Sequence, residues 1–354
     1  MIVAVDATPA LRPQPSGTEV YAREVIEALA ALRGDRTVRC YANAGGAPSW
    51  LQGQVEWRPI PFPRLWTHWA FARAVARDRP DVVYVPSHVL PVVLGPPGVA
   101  TIHDVGHRYQ RAAYRAPDWW YLELSTRWMA RRASRLIAVS QSTADDLRRF
   151  YRVQPSRVAV VHSGVSETMR PQPAGEVARV RARYRLPARY FLYVGRAHPR
   201  KNLPFLLSAF AQARRTGLKA SLLLAGSGHE SVQQEGVQVL PYVPSPDLPS
   251  LYAGALALTL PSRFEGFGFP VLEAMRCGTA VLASTAGALP EIVGEAGLLR
   301  GPRDRAGWIE ALRRLADDER ERQRLIALGH DWSARFTWPA AARAIWRILE
   351  DVAR

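Results

Sequence analysis

The chain has 354 residues, more than one ordinary hydrophobic core organises, so length alone predicts two domains. Hydrophobic residues at 48% exclude a disordered chain. Two cysteines exclude a disulfide framework and fit a reducing cytosol, and no run approaches the roughly 18 apolar residues of a membrane span. The net charge of +16 comes from 47 basic against 31 acidic residues, and the only lysines are Lys201 and Lys219. This arginine bias fits GC-rich coding as well as a functional cause. The excess is spread evenly over both halves, which argues against a nucleic-acid face.

In the first half, Ile2–Val5 is too short for a secretion signal and reads as a buried strand. Val82–Val85, Val99–Ile102, Leu136–Val139 and Val158–Val161 read as further strands, with helical patterns over Val20–Leu32 and Ala144–Phe150. Ser16-Gly17-Thr18 lies between the first strand and its helix. There Gly17 either lets backbone approach a phosphate or belongs to a helix start capped by Ser16 or Thr18. His103 and Asp104 follow the strand at Thr101, the end at which open α/β sheets bind ligands, and His88 in Pro-Ser-His is a similar candidate. From Arg108 to Arg135, seven arginines alternate with Tyr109, Tyr114, Trp119, Trp120, Tyr121 and Trp128. That mixture suits an anionic bilayer surface or single-stranded nucleic acid, and equally core aromatics flanked by solvated arginines.

Met169-Arg-Pro-Gln-Pro-Ala-Gly reads as a connector. Beyond it the rhythm repeats, with strands at Tyr190–Val194, Ser221–Ala225, Val237–Val243, Leu256–Leu260 and Thr279–Ala283, and helices near Pro204–Thr216, Pro270–Cys277 and Arg305–Ala316. The alternation predicts an α/β chain of two Rossmann-like, doubly wound domains. Expected bounds are 1–168 for the first domain and 169–337 for the second. An amphipathic helix over 338–354 is expected to pack back on the N-terminal domain.

Arg196 and Lys201 enter a helix after the strand Tyr190–Val194, placed to clamp a diphosphate. Ala225-Gly-Ser-Gly-His is a glycine turn, either plain or shaped for a nucleotide. Val243 lies where a base pocket would form. Residues 261–278 read Pro-Ser-Arg-Phe-Glu-Gly-Phe-Gly-Phe-Pro-Val-Leu-Glu-Ala-Met-Arg-Cys-Gly, a strand-loop-helix sequence with Glu265 on the loop and Glu273 one turn into the helix. A helix start suits phosphate and carboxylates suit hydroxyls, so the pattern fits a nucleotide-sugar. A tight turn bearing two solvated glutamates is the alternative.

Gly-Arg-x4-Lys-Asn paired with Glu-Gly-Phe-Gly-x4-Glu about 70 residues later resembles the retaining nucleotide-sugar glycosyltransferases of family 4, whose fold is GT-B, two Rossmann-like domains facing a cleft. Val139-Ser-Gln-Ser-Thr-Ala-Asp-Asp-Leu, Leu251-Tyr-Ala-Gly-Ala and Ala288-Leu-Pro-Glu-Ile-Val-Gly-Glu-Ala-Gly-Leu-Leu extend the likeness over about 136–338. The chain departs from the family in its single Gly17, in His162-Ser-Gly and at Pro241. The resemblance implies that Glu265 binds hydroxyls of the transferred sugar, that Glu273 holds the ribose and that Arg196 and Lys201 grip the diphosphate. It further implies that N–H groups around Gly266, Phe267 and Gly268 touch phosphate or sugar, and that His103 lies near the reacting centre. Asp104 and His88 are the candidate acceptor-binding residues.

The expected activity is retaining, metal-independent transfer from a nucleoside diphosphate sugar, GDP-mannose being favoured, to a glycan or lipid-linked hydroxyl. No cofactor, no metal and no nucleic-acid partner is expected; an anionic membrane surface is. The expected location is cytoplasmic, peripheral on the inner face of the plasma membrane. The rival readings are a GT-B nucleotide-sugar epimerase and a non-catalytic basic protein of the membrane surface.

Overall fold

The computed structural model describes residues 1–12, 16–43, 45–62, 66–87 and 89–354. The chain divides into two compact units, Met1–Gly164 with Phe336–Arg354, and Val165–Arg335. The divisions lie a few residues before 168 and 337.

The first unit contains β1 (Ile2–Asp6), α1 (Gly17–Ala31), β2 (Thr37–Ala42), β3 (Glu56–Pro59), α2 (Ala72–Asp78), β4 (Val82–Val85), β5 (Gly98–Ile102), α3 (Gly106–Tyr109), α4 (Ala116–Arg132), β6 (Arg135–Ala138), α5 (Gln141–Tyr151) and β7 (Val158–Val160). Its strands form one sheet in the order β3-β2-β1-β4-β5-β6-β7, with every pairing parallel. The strand order reverses between β1 and β4, so this is a doubly wound sheet with its switch point there. Strands β4 and β5 are buried throughout, as expected of strands covered by helices on both faces.

The second unit contains α6 (Ala174–Arg183), β8 (Tyr190–Val194), α7 (Leu203–Arg215), β9 (Ser221–Ala225), β10 (Val237–Val239), α8 (Leu248–Ala253), β11 (Ala257–Leu260), α9 (Phe269–Arg276), β12 (Ala280–Ser284), α10 (Leu289–Val293), β13 (Leu298–Arg300), α11 (Arg305–Asp317) and α12 (Glu319–Ser333). The sheet order is β10-β9-β8-β11-β12-β13, again all parallel, with the reversal between β8 and β11. Phe191, Tyr193, Leu206, Phe210, Leu222, Leu224 and Trp308 build its main core. Strand β10 stops at Val239, short of Val243, because Pro241 and Pro244 offer no N–H to a ladder.

The last helix, α13 (Trp338–Ala353), belongs to the first unit. Trp346 Nε1 donates to Leu29 O on α1 at 3.2 Å, and Arg36 bonds Glu350 at 2.6 Å. Gly164 makes room for the start of this helix, since a Cβ there would lie 2.2 Å from Trp338 N. Among the described residues no helix is long and apolar enough to cross a membrane.

Candidate functional site

The two motif loops of the second unit leave the carboxyl ends of β8 and β11, the strands that flank its switch point. After β8 the chain passes Gly195 and Arg196 and makes a short 3-10 turn, Pro199–Lys201. Asn202 ends that turn and starts α7 with φ +57°, a left-handed conformation that asparagine tolerates better than most residues. Its buried amide donates to Pro261 O at 3.0 Å and to Pro302 O at 2.9 Å, and its Oδ1 accepts from Arg263 Nε at 3.0 Å. Arg263 N donates to Arg200 O at 2.8 Å. One asparagine thus ties the β8 loop to the β11 loop.

This stitching brings three ionised groups together. Lys201 Nζ donates to Glu265 Oε1 at 2.7 Å, and Arg200 donates to Glu265 Oε2 at 2.9 Å. Ser262 Oγ donates to Glu265 Oε1 at 2.5 Å. Glu265 itself is 5% exposed. Burial pushes its carboxyl up, but the Lys201 and Arg200 charges and the hydrogen bonds from Lys201 and Ser262 hold it below the usual range. Gly287, at φ +59°, lies against the Glu265 backbone, where a Cβ would stand 2.3 Å from Glu265 O. Ala288 N donates to that same oxygen at 2.9 Å.

Glu273 lies on α9, and Tyr252 on α8 donates to its Oε2 at 2.7 Å. Burial pushes the Glu273 carboxyl up, against the Tyr252 hydrogen bond and the Lys201 charge. Gly268, at φ +110°, is the N-cap of α9; Gly266 and Phe267 precede it in the loop, Phe267 buried and edge-on to Phe269 at 5.2 Å. The eight-residue α9 begins four residues after Glu265.

Other sequence candidates stand elsewhere. Arg196 is exposed on the β8 loop and makes none of the contacts to Glu265; the second cation there is Arg200, which the sequence reading had not singled out. Val243 is half-buried in the loop after β10. The Gly-Ser-Gly turn after β9 serves loop packing: a Cβ on Gly226 would meet Gly195 O at 2.2 Å, and one on Gly228 would meet Ala197 Cβ at 2.8 Å. His229 completes the turn with Nε2 at 2.7 Å from Gly195 O. Ser262, Asn202, Tyr252 and Gly287 were also missed. Ser262 carried a signal, a hydroxyl three residues before Glu265.

In the first unit, His103 follows β5 and its Nε2 lies 2.9 Å from Pro86 O, just beyond β4. Its ring stands edge-on to Tyr21 at 4.7 Å. Asp104 accepts from the N–H of Gly106, the first residue of α3, at 2.8 Å. Gly17 is exposed at the first position of α1, after the N-cap Ser16, whose N–H donates to Glu19 at 2.8 Å in a capping-box contact. His88 lies outside the described residues. Among the described residues, no group of three or more His, Cys, Asp or Glu side chains is arranged to hold a metal ion. An open groove of about 1110 Å³ between α7 and α11, lined by Thr216, Ile309 and Arg313, shares no residue with the Glu265 cluster.

The family model for glycosyl transferases group 1 matches residues 188–318, and that for glycosyltransferase family 4 matches residues 15–168. The O-antigen chain mannosyltransferase B of Escherichia coli is 30% identical over 74% of this chain and 72% of its own length. The chain belongs to the family 4 glycosyltransferases. This glycosyltransferase is also similar to the MMP alpha-(1->4)-mannosyltransferase of Mycolicibacterium hassiacum, at 32% identity over 73% of this chain and 66% of that protein. A D-inositol 3-phosphate glycosyltransferase of Frankia alni is 35% identical over 61% of this chain and 58% of its own length. The chain thus spans between about half and three quarters of the length of such relatives. Among solved structures, sucrose-phosphate synthase from Thermosynechococcus elongatus superposes with a TM-score of 0.78 at 21% identity, covering 99% of both chains. Anabaena HepE, solved in complex with UDP and glucose, superposes at 0.76 with 18% identity and the same coverage. These likenesses establish the GT-B fold for the glycosyltransferase.

Proposed function

We propose that this glycosyltransferase moves a hexose from a nucleoside diphosphate sugar to a hydroxyl of a glycan or lipid-linked acceptor, with retention of configuration and without a metal ion. The carrying observation is the convergence of Lys201 and Arg200 on Glu265, on the two loops that leave the sheet at its switch point. Two cations on Glu265, four residues before the first residue of α9, support a diphosphate site at that helix start. A buried, ionised carboxylate is an acceptor for sugar hydroxyls. Glu273 on α9 is assigned to the ribose, and exposed Arg196 to the diphosphate.

In the reaction, the bond between the anomeric carbon and the diphosphate oxygen breaks and a bond to the acceptor oxygen forms on the same face. The acceptor proton passes to the departing diphosphate. Lys201 and Arg200 offset the charge that gathers on that diphosphate, and Glu265 holds the sugar as positive charge develops at its anomeric carbon. From the first unit, His103 and Asp104 are assigned to the reacting sugar and the acceptor. The names of two relatives favour a mannosyl donor, and GDP-mannose is the donor we assign. The proposed place of work is the cytoplasmic face of an anionic membrane.

The test is a thermal-shift panel of GDP-, UDP-, ADP- and dTDP-sugars, followed by transfer assays with wild type and Glu265→Ala. Stabilisation by one nucleotide class and loss of transfer in the variant are expected. Full transfer by Glu265→Ala overturns the assignment.

A further inference from the structure

Helix α4 carries a solvent-facing stripe that the proposed reaction does not use. Trp120, Leu124, Arg127 and Arg131 recur at helical spacing along one face, with Tyr121 beside them. Trp120, Tyr121 and Leu124 are 54%, 57% and 59% exposed, an arrangement that costs a water-facing helix apolar hydration without any gain in core burial. Arg115 before the helix and Arg127, Arg131 and Arg132 on it are exposed as well, against Asp118 as the exposed acid of the helix. The helix's other acid, Glu123, is turned inward and held by His107, Arg108, Arg127 and Tyr151. At the C-terminal end of α4, Arg132 lines a small cavity together with Leu90, Pro91 and Leu94. The loop carrying those residues bears Val92 and Val93, 50% and 75% exposed, and no charge from Val89 to Val99.

We propose that the α4 stripe and the Val92–Val93 loop together form the surface by which the first unit lies on an anionic lipid bilayer. This rests on the reading of a lipid-linked acceptor and specifies where that acceptor is met. Charge and chemistry select the occupant. Arginines along the stripe complement anionic headgroups, while Trp120 and Tyr121 suit the headgroup boundary and Leu124, Val92 and Val93 the hydrocarbon beneath it. Valine and leucine offer nothing to stack on a base, which disfavours single-stranded nucleic acid. A second copy of the chain would set Arg127 and Arg131 against their own equivalents. The aromatic end of the stripe also adjoins the segment after β5, since Trp119 Nε1 donates to His107 O at 2.9 Å. A bilayer on this face would therefore deliver its headgroups beside the carboxyl edge that bears His103 and Asp104.

The experiment is flotation of the full chain with vesicles of phosphatidylcholine alone and of phosphatidylcholine with phosphatidylglycerol. Binding to the anionic vesicles, weakened by salt, is expected. Leu124→Asp and Val93→Asp should each lower partitioning at least about tenfold, and Arg131→Gln about fivefold on anionic vesicles alone. All three should keep the wild-type thermal transition and the wild-type shift with nucleotide-sugar. Unchanged partitioning of Leu124→Asp and Val93→Asp, absence of flotation with anionic vesicles, or competition for the face by oligonucleotide in preference to vesicles overturns the proposal. Failure of vesicle binding with the nucleotide-sugar shift intact sinks the docking surface alone. Loss of that shift in the wild-type protein sinks the transfer reading instead.

Discussion

Lys201 and Glu265 are 64 positions apart in the chain and 2.7 Å apart in space, and the carboxylate they share with Arg200 is almost fully buried. A buried ion pair is weak evidence for stability, because desolvation opposes the Coulomb gain. Its retention here makes sense if the cations exchange part of their contact with Glu265 for a diphosphate. Lys201→Met should then lower kcat about 10²- to 10³-fold, as loss of a donor to developing charge does elsewhere. Glu265→Gln should lower kcat as well and cost up to about 3 kcal/mol of stability, since it leaves Lys201 and Arg200 without a counter-charge. Steady-state kinetics and denaturant titration of the two single variants and the double variant measure both effects. Additivity of the two stability losses would mean that the pair does not act as a unit.

The two glutamates of the motif should respond to pH with opposite signs. Glu265 is held below its unfolded value, so its contribution to stability is present above the unfolded pKa and is lost as pH falls through the folded one. Glu273 is held above its unfolded value, so its contribution is present below the unfolded pKa and is lost as pH rises through the folded one. Melting curves from about pH 3.5 to pH 8 should therefore show Glu273→Gln gaining stability over wild type toward neutral pH, with Tyr252 still donating to the amide oxygen. Glu265→Gln should lose most at neutral pH and converge on wild type in acid. Parallel curves for the two variants would contradict the assignments.

Gly287 tests how tightly the loop of Glu265 is positioned. Gly287→Ala adds a Cβ within 2.3 Å of Glu265 O at a left-handed backbone position, so the loop must move. A cost of about 1–3 kcal/mol is expected, with a fall in kcat larger than any rise in KM. Gly175→Ala is the control, since a Cβ there meets nothing within 4 Å and the residue sits in α6. It should be neutral or slightly stabilising. Equal behaviour of the two variants in urea titrations would remove Gly287 from the site.

The sequence made much of this legible because its signals were local. Alternating strands and helices gave both parallel sheets, and Pro270 with the glycines before it marked the start of α9. What stayed hidden depended on contacts across the sheet. Strands β2 and β3 were missed: Thr37–Ala42 mixes an arginine into a buried run, and Glu56–Pro59 is an exposed edge with only Trp57 half-buried. Arg200 was missed because its partner is set by the turn that Asn202 closes, and nothing in residues 195–202 names Glu265. Arg196, favoured from its place after β8 and from the family resemblance, is exposed on that loop. The Gly226–Gly228 turn read either as plain or as shaped for a nucleotide, and the space left by its missing side chains is taken up by Gly195 and Ala197.

The return of α13 to the first unit gives a prediction that separates stability from donor binding. Trp346 is 3% exposed, hydrogen-bonds Leu29 O and lies under Arg36, whose guanidinium carbon is 4.7 Å from its ring. Trp346→Ala should cost about 3–5 kcal/mol through cavity formation. Gly164→Ala should disturb the same helix from its other end, because its Cβ would collide with Trp338 N. Neither residue belongs to the unit that holds Lys201, Glu265 and Glu273. Both variants should therefore melt earlier, yet at a temperature where they are folded their affinity for a nucleotide-sugar, read by calorimetry, should stay within about twofold of wild type. A large loss of affinity in Trp346→Ala would mean that the packing of α13 on α1 also sets the donor-sugar contact assigned to His103.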